Sequence, residues 1–422
     1  MRIEIICTGD EILSGKTINT NYSHIARRLQ EVGLGVEWGT TVGDDRRNLL
    51  DAFERAAARA QAVIVNGGLG PTVDDLSQEI AARAAGVELV LSADWFARME
   101  EYYQRRGRVM PANNRKQAML PEGAELLDNP IGTACGFAMR IGQARFFFTP
   151  GVPRELRRML DEQVMPRLLV IGGGQRAIRL KRFHTFGLGE SRVDEMLSGV
   201  ERLAPEGLVK IGFQAHYPQL ETKLAARGSD AGALAAALMP VEAEVRRRLG
   251  NFIVAEDDET MESVILDRLR HEGGSLALAE TFTGGAIAAR IAPLEAARGI
   301  FRRAIAALEV TELRAACGLG RAEDAATDAR MAEAIAGALR ETTGASHALA
   351  ALVLLDEGND GVEFGGDIFI GIASSAGTMG RSARMLGGRD WLRLGAGEMA
   401  LDSLRRHLLG KPVDERIDFE RR

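Results

Sequence analysis

The densest run of chemically suggestive residues is Asn66-Gly67-Gly68-Leu69-Gly70-Pro71-Thr72-Val73-Asp74-Asp75, which follows the apolar segment Ala62–Val65 and precedes an amphipathic stretch. Glycines in such a loop let backbone N–H groups approach phosphate oxygens, and the carboxyl end of a parallel strand is where α/β folds bind ligands. The pattern points to an anion held by Asn66, Gly67, Gly68, Gly70 and Thr72. Asp74 and Asp75 fall where a helix is expected to begin, as capping residues, yet their charge alone repels a phosphate. A divalent cation (Mg2+ or similar) bridging carboxylate and phosphate resolves the conflict.

Four other loops carry the same residue types. Thr8-Gly9-Asp10-Glu11 follows the first apolar segment and Gly43-Asp44-Asp45 the second; Asn129-Pro130-Ile131-Gly132-Thr133-Ala134 and Pro150-Gly151-Val152-Pro153-Arg154-Glu155 follow later ones. In a parallel sheet the loops after successive strands converge on one edge. Five loops rich in Gly, Asp, Asn and Thr therefore describe one polar pocket.

The elements that must position these loops alternate in an α/β rhythm: Ile3–Cys7 then Tyr22–Val32, Val36–Val42 then Arg46–Arg59, Ala62–Val65 then Asp75–Ala85, with strands at Phe137–Ile141 and Arg145–Phe148 and a helix over Arg154–Leu168. That pattern predicts a largely parallel sheet. Gly172-Gly173-Gly174 punctuates the chain as a flexible exit. Strands Arg179–Phe186, Leu208–Phe213 and Leu220–Ala226 and an Ala-rich helix Ala231–Leu249 suggest a small α+β connector. A second α/β rhythm follows, with helix Met261–Glu272, strand Ser275–Ala279, helices Gly285–Ile291 and Asp328–Thr342, strands Ala348–Leu355 and Asp367–Ala373, and a final helix Trp391–Leu409.

Composition narrows the function classes. The chain has 422 residues, enough for two or three domains, and a formal net charge of -6 that offers no basic footprint for nucleic acid. Cys7, Cys135 and Cys317 are odd in number and widely spaced, which suits reduced thiols better than a disulfide framework. Six scattered histidines share no metal-ligand spacing. Met1 leads straight into an apolar strand segment without the features of a signal peptide, and no apolar run approaches the ~18 residues of a membrane span. A soluble, cytoplasmic protein is expected, without nucleic-acid or membrane partners.

The first-domain loops, together with Thr20-Asn21 and Gln117-Ala118-Met119-Leu120-Pro121-Glu122-Gly123, closely resemble the N-terminal domain of the CinA family (competence/damage-inducible protein A), which is related to molybdopterin-binding domains. Thr185-Phe186-Gly187-Leu188-Gly189-Glu190-Ser191 and Ile211-Gly212-Phe213 resemble the family's connector, and the likeness covers essentially the whole chain. It implies an α/β, three-domain chain: a molybdopterin-binding-like α/β domain over 1–170, an α+β connector over 175–252 and a CinA-type C-terminal α/β domain over 259–412. It also implies metal-dependent ADP-ribose pyrophosphatase activity in the first domain, giving AMP and ribose 5-phosphate, and is compatible with a homodimer. The residues themselves reach only as far as a phosphate and a divalent cation. Under the hydrolase reading, Gly67 to Thr72 hold the diphosphate with help from Asn129, Gly132 and Thr133. Asp74 or Asp75 with Asp44 or Asp10 holds the cation, and Glu11 or Asp45 orients the attacking water.

In the last third, Ala279-Glu280-Thr281-Phe282-Thr283-Gly284-Gly285 follows a strand and opens a helix, a spacing suited to a second anion cradle. It resembles the nicotinamide mononucleotide deamidase segment of CinA proteins, Ala-Glu-Ser-Cys-Thr-Gly-Gly, whose Ser is the nucleophile. Here Thr281 and Phe282 replace Ser and Cys. The family's Tyr-Ser-Asn-Glu-Ala-Lys element corresponds to Leu308-Glu309-Val310-Thr311-Glu312-Leu313, without the lysine, and Arg314 cannot serve as a base. A Thr-Gly-Ile-Ala-Gly-Pro loop is replaced by Asp356-Glu357-Gly358-Asn359-Asp360-Gly361. The expectation is a degenerate deamidase site in which Glu280, Thr281, Thr283, Gly284 and Gly285 persist without turnover. Two other readings stand beside the pyrophosphatase: a non-catalytic pterin- or nucleotide-binding module, and a still-active deamidase.

Overall fold

In the computed structural model, residues 1–172, 177–228, 230–321, 326–356 and 364–420 are described. The chain divides into two compact units, Met1–Ile178 with Arg227–Ala231, and Arg179–Ala226 with Gly232–Arg422. The expected exit at Gly173 and Gly174 and the loop from Glu357 to Gly361 lie outside the described residues.

The first unit carries strands β1 (Ile3–Thr8), β2 (Val36–Val42), β3 (Ala62–Asn66), β4 (Leu89–Leu91), β5 (Met119–Pro121), β6 (Glu125–Leu127), β7 (Gly136–Ile141) and β8 (Ala144–Thr149). Its helices are α1 (Asp10–Leu13), α2 (Thr20–Glu31), α3 (Arg46–Arg59), α4 (Ser77–Ala85), α5 (Ala93–Gln104), α6 (Pro153–Met159) and α7 (Met165–Ile171). The main sheet runs β2-β1-β3-β8-β7-β6, parallel from β2 to β8, with β7 antiparallel to both neighbours. Both faces are covered, which is why β1, β3 and β8 read as continuous apolar runs. Successive side chains alternate between two cores. Ile6, Val63, Val65, Phe146 and Phe148 pack with Phe53 of α3 and Trp95 of α5, while Ile5, Cys7, Ile64 and Phe147 pack with Ile25 and Leu29 of α2 and Leu156 of α6. The predicted helix over Arg154–Leu168 is α6 and α7 joined by a π-helical segment, Leu160–Val164.

One expectation is corrected at α4. The helix begins at Ser77, its N-cap is Leu76 with no side-chain cap, and Asp74 and Asp75 lie ahead of it rather than in capping positions. Pro71 and the left-handed Gly67 and Gly68 stretch the connection, so helical geometry starts two residues later than the charge pattern suggests.

In the second unit, β9 (Ala177–Phe186), α8 (Glu190–Met196), β10 (Val209–His216), β11 (Gln219–Gly228), α9 (Ala231–Leu249) and β12 (Ile253–Glu256) form the connector, with sheet order β10-β11-β9-β12. It is followed by α10 (Met261–His271), β13 (Leu276–Thr281), α11 (Ala286–Ile291), β14 (Phe301–Ala307), α12 (Val310–Ala316), α13 (Ala329–Thr343), β15 (His347–Asp356), β16 (Gly365–Ser374), β17 (Gly377–Leu386) and α14 (Arg389–Leu408), on a sheet ordered β14-β13-β15-β16-β17. The connector packs on the last domain through polar contacts such as Gln219 Nε2 to the buried Glu398 carboxylate. The three cysteines are free and buried. No helix among the described residues is long and apolar enough to cross a membrane.

Candidate functional site

Asn66 ends β3, and the next two residues need backbone angles that only glycine adopts without strain: Gly67 has φ +113° and Gly68 φ +69°. Space is as restrictive as torsion. A Cβ on Gly67 would sit 2.5 Å from Thr8 Oγ1, one on Gly68 2.4 Å from Ser77 Oγ, and one on Gly70 2.5 Å from an Asp75 carboxylate oxygen. Ser77 Oγ donates to the Gly67 carbonyl at 2.9 Å, and the Thr72 amide and hydroxyl both donate to Asp75. Asp75 thus fixes the loop's shape instead of capping α4. The amides of Gly68, Leu69 and Gly70 donate to no acceptor among the described residues, so they remain available to an incoming anion.

The five loops do converge. A cleft of about 600 Å³ is lined by Thr8 and Glu11 at the end of β1, Asp44 after β2, Asn66 to Thr72 with Asp74 and Asp75 at the end of β3, Thr133 after β6, and Pro150 to Pro153 with Glu155 after β8. β6 contributes because it runs parallel to β8, two antiparallel steps away. That volume suits a nucleotide-sized ligand.

Asn66 lines the cleft, but its side chain is spent on the protein. Its Oδ1 accepts from Asn21 Nδ2 at 2.9 Å, and its Nδ2 donates to the Pro150 carbonyl at 2.7 Å and to Thr149 Oγ1 at 3.3 Å. Asn21 Nδ2 also donates to the Gly151 carbonyl at 2.7 Å. This buried network ties the ends of β3 and β8 to α2, and makes Asn66 a positioning residue.

On the acidic side, Asp44 and Asp10 exchange bonds: each carboxylate accepts the other's backbone N–H, at 3.1 and 3.2 Å. Burial raises the Asp44 carboxyl above its ordinary value, and the charges of Asp10, Glu11 and Asp74 push it further up. Glu11, Asp44, Asp74 and Asp75 line the cleft; Asp10 does not. Asp45 is also absent from the lining, because it is the N-cap of α3 and accepts from Arg47 N and Asn48 N at 3.0 and 2.9 Å. The role of orienting water is therefore withdrawn from Asp45. Among the described residues no group of three or more His, Cys, Asp or Glu side chains is arranged to hold a metal ion. The donor chemistry still fits a cation of the Mg2+ class, which takes one or two carboxylates and completes its shell with water and substrate phosphate. The buried Thr8 Oγ1, which has no partner among the described residues, supplies a further oxygen at the same edge.

Thr133 lines the cleft, whereas Asn129 and Gly132 stand behind it. Asn129 is buried and donates to a Glu155 carboxylate oxygen at 2.7 Å and to the Ala134 carbonyl at 2.9 Å. A Cβ at Gly132 would strike that same carboxylate at 2.2 Å. Both residues hold Glu155 rather than ligand. Thr8, Asn21, Gln117 and Glu155 also line the cleft, although their sequence context alone assigns them no role. A signal was present for Glu155, an acid in the first turn of a helix opened by Pro153 after a strand.

In the last domain, β13 runs on through Glu280 and Thr281, both buried. The Glu280 carboxylate accepts from Thr283 Oγ1 and, at 3.1 Å each, from the amides of Ile287 and Ala288, so it holds the start of α11. Thr281 Oγ1 accepts the Val353 amide at 3.1 Å. Phe282 has φ +63°, a left-handed conformation rare for an aromatic residue, and Gly284 and Gly285 follow with φ +67° and +87°. Leu313 is buried in the core beside α13.

A doubly covered, mainly parallel sheet with its polar cleft at the carboxyl edge, followed by a connector and a second α/β domain, defines a multidomain protein with a first domain of the molybdopterin-binding type. Comparison with known proteins agrees. The pattern of a probable molybdopterin binding domain matches residues 4–170, that of the damage-inducible protein CinA KH domain residues 180–255, and that of the CinA C-terminal domain residues 258–408. A CinA-like protein of Shewanella sediminis is 36% identical over 418 residues, covering 98% of this chain and 97% of that one. Another, of Citrifermentans bemidjiense, is 39% identical over 416 residues, covering 97% and 98%. The crystal structure of the protein CinA, of unknown function, from Thermoplasma acidophilum shares 32% identity over 39% of this chain and 96% of that one, with a TM-score of 0.37. The chain belongs to the family of CinA-like proteins.

Proposed function

We propose that the first domain hydrolyses the diphosphate bond of ADP-ribose or a related nucleotide diphosphate with the help of a divalent cation. The observation that carries this reading is the pairing, across one cleft, of three unpartnered loop amides with a cluster of carboxylates, among which burial and the neighbouring acids raise the Asp44 carboxyl. Amides alone suffice for binding an anion; several like charges gathered at one edge repel one another and the incoming phosphate unless something positive joins them. Asp44, with Asp74 or Asp75, would hold the cation, which when bound supplies Lewis-acid polarisation of a phosphoryl oxygen. Gly68 to Gly70 bind the diphosphate and fix its orientation. Glu11 accepts a proton from the attacking water as its oxygen joins phosphorus and the bridging P–O bond breaks, giving AMP and ribose 5-phosphate.

A second reading, retention of a nucleotide or pterin without turnover, is favoured by the absence among the described residues of a preformed three-ligand metal set. One experiment separates them: the purified protein is incubated with ADP-ribose and Mg2+, Mn2+ or Co2+, with and without EDTA, while AMP release and ligand binding are both measured. Cation-dependent AMP that EDTA abolishes is the expected result. Binding without AMP selects the second reading, and AMP formation undiminished by EDTA overturns the cation's role.

For the last domain, the proposal is a deamidase site without turnover. The Thr281 hydroxyl is engaged by a backbone amide, and at 313 the apolar core holds a leucine where the related pattern has its lysine.

A further inference from the structure

Beside the cleft, on the far side of the Asn129–Thr133 loop, lies a separate cavity of about 440 Å³ whose wall is one face of α5 and its C-terminal extension. Trp95, Arg98, Tyr102 and Arg106 succeed one another at helical spacings of three or four, so their side chains form a row. Arg98 lies over the Trp95 ring, 4.8 Å from its centroid, and Arg106 over the Tyr102 ring at 3.5 Å. Arg98 pairs with Asp128 at 2.6 Å and Arg105 with Glu101, whereas Arg106 faces no carboxylate within ion-pair distance among the described residues. The negative end of a helix accounts for cations in its last turn. It does not account for Arg98, nearly two turns earlier, nor for the stacking of two guanidinium groups on aromatic faces around an open cavity.

We infer that this cavity is a second anion site that takes a phosphate monoester, held by the arginines through charge-assisted hydrogen bonds and by the Arg–Tyr stack against its sugar or base. Planar guanidinium groups recognise phosphate by paired donors, and aromatic or guanidinium faces stack on planar groups without needing a particular sequence of polar contacts. The site goes beyond the hydrolase reading and does not depend on turnover. It is joined to the first cleft by two contacts. Trp95 Nε1 donates to the Thr133 carbonyl at 3.0 Å, and Thr133 lines the cleft. Gly132, which lines the second cavity, abuts the Glu155 carboxylate of the first. Occupancy of one cavity therefore bears on the loop that walls the other.

Trp95 makes the test direct, since the chain has three tryptophans. The full chain carrying Trp38→Phe and Trp391→Phe is titrated in EDTA with AMP and, separately, with ribose 5-phosphate, following Trp95 emission and, on the same samples, the heat of binding. The expected result is saturable binding of at least one ester that becomes at least tenfold weaker in Arg105→Ala/Arg106→Ala and is unchanged in Gly70→Ala, whose Cβ would strike the Asp75 carboxylate and displace the amide loop of the first cleft. Binding of both esters means that the phosphate is read; binding of AMP alone means that the base adds to it. Both arginines are exposed, so their replacement leaves folding intact, which the thermal transition checks. No saturable heat or emission change with either ester, or undiminished affinity in the arginine variant, overturns the inference; loss of binding in Gly70→Ala assigns the ligand to the first cleft and overturns it equally.

Discussion

Replacing Asn66 should loosen the cleft without touching any ligand, and the cost can be worked from its bonds. Asn66→Ala removes three buried hydrogen bonds. Asn21 Nδ2 keeps the Gly151 carbonyl and Thr149 Oγ1 keeps the Val65 carbonyl, so those two groups lose only a shared bond. The Pro150 carbonyl is left buried without a partner. Two lost neutral bonds at about 1 kcal/mol each and one orphaned acceptor at about 1–3 kcal/mol give a loss of roughly 3–5 kcal/mol. With a urea slope of about 2 kcal/mol/M, the midpoint falls by roughly 1.5–2.5 M. In a Trp391→Phe background the remaining tryptophans, Trp38 and Trp95, both lie in the first unit, so emission reports that unit within the full chain. Asn66→Asp separates volume from bonding. Its second oxygen would face the Pro150 carbonyl in place of an N–H, so at neutral pH it should lose at least as much stability as Asn66→Ala. The introduced carboxyl is raised in the folded state, because only its protonated form donates to Pro150. The stabilising bond is thus present below the ordinary carboxylate range and is lost as pH rises through the raised value. A midpoint within about 0.3 M of the parent for both variants, with no pH dependence in the second, would refute the keystone role of Asn66.

Two further outcomes follow from the same geometry. Because burial and the neighbouring acids raise the Asp44 carboxyl, its ionisation opposes folding: the favourable contribution is present below the ordinary carboxylate value and lost as pH rises through the raised one. The cation-free first unit should therefore gain stability as pH falls through that window, and Asp44→Asn should flatten the gain; cation affinity, measured by calorimetry, should weaken in the same window and drop about tenfold or more in the variant. An unchanged pH profile in the variant removes Asp44 from that role. Thr281→Ser should release no ammonia from nicotinamide mononucleotide, because the hydroxyl still accepts the Val353 amide and no base stands at 313. Ammonia production that scales with either the parent or this variant contradicts the proposal for the last domain.

Much of the frame was legible because burial on both faces of a parallel sheet leaves a mark that local reading detects. β1, β2, β3, β7 and β8 fall where apolar runs place them, and α3 and α9 match their expected limits, Arg46–Arg59 and Ala231–Leu249. The three-residue strands β4, β5 and β6 were missed, since a run that short has no measurable period, and so was α5, whose apolar positions are interrupted by Arg98 and the Glu100–Glu101 pair. Asp45 was misread even though Asp45-Arg46-Arg47-Asn48 at the head of an amphipathic helix is a capping signal. Two adjacent acids after a strand look alike in sequence, and only the helix start separates the one that caps from the one that faces the cleft.

What the sequence determined by itself is therefore local: residue type, periodicity and turn chemistry set the α/β rhythm, the glycines of the β3 loop and the excess of acids at the sheet edge. Tertiary structure decided the division of labour within that edge. Asn21, Asn66 and Pro150 are 45 and 84 residues apart, and nothing in their neighbourhoods reveals that one amide holds two others. Glu155 becomes a cleft residue only because Asn129 and Gly132, more than twenty residues earlier, leave it one place to stand. A hydrogen bond is specified by distance and direction between both partners, and those are properties of the folded arrangement that no single stretch of chain contains.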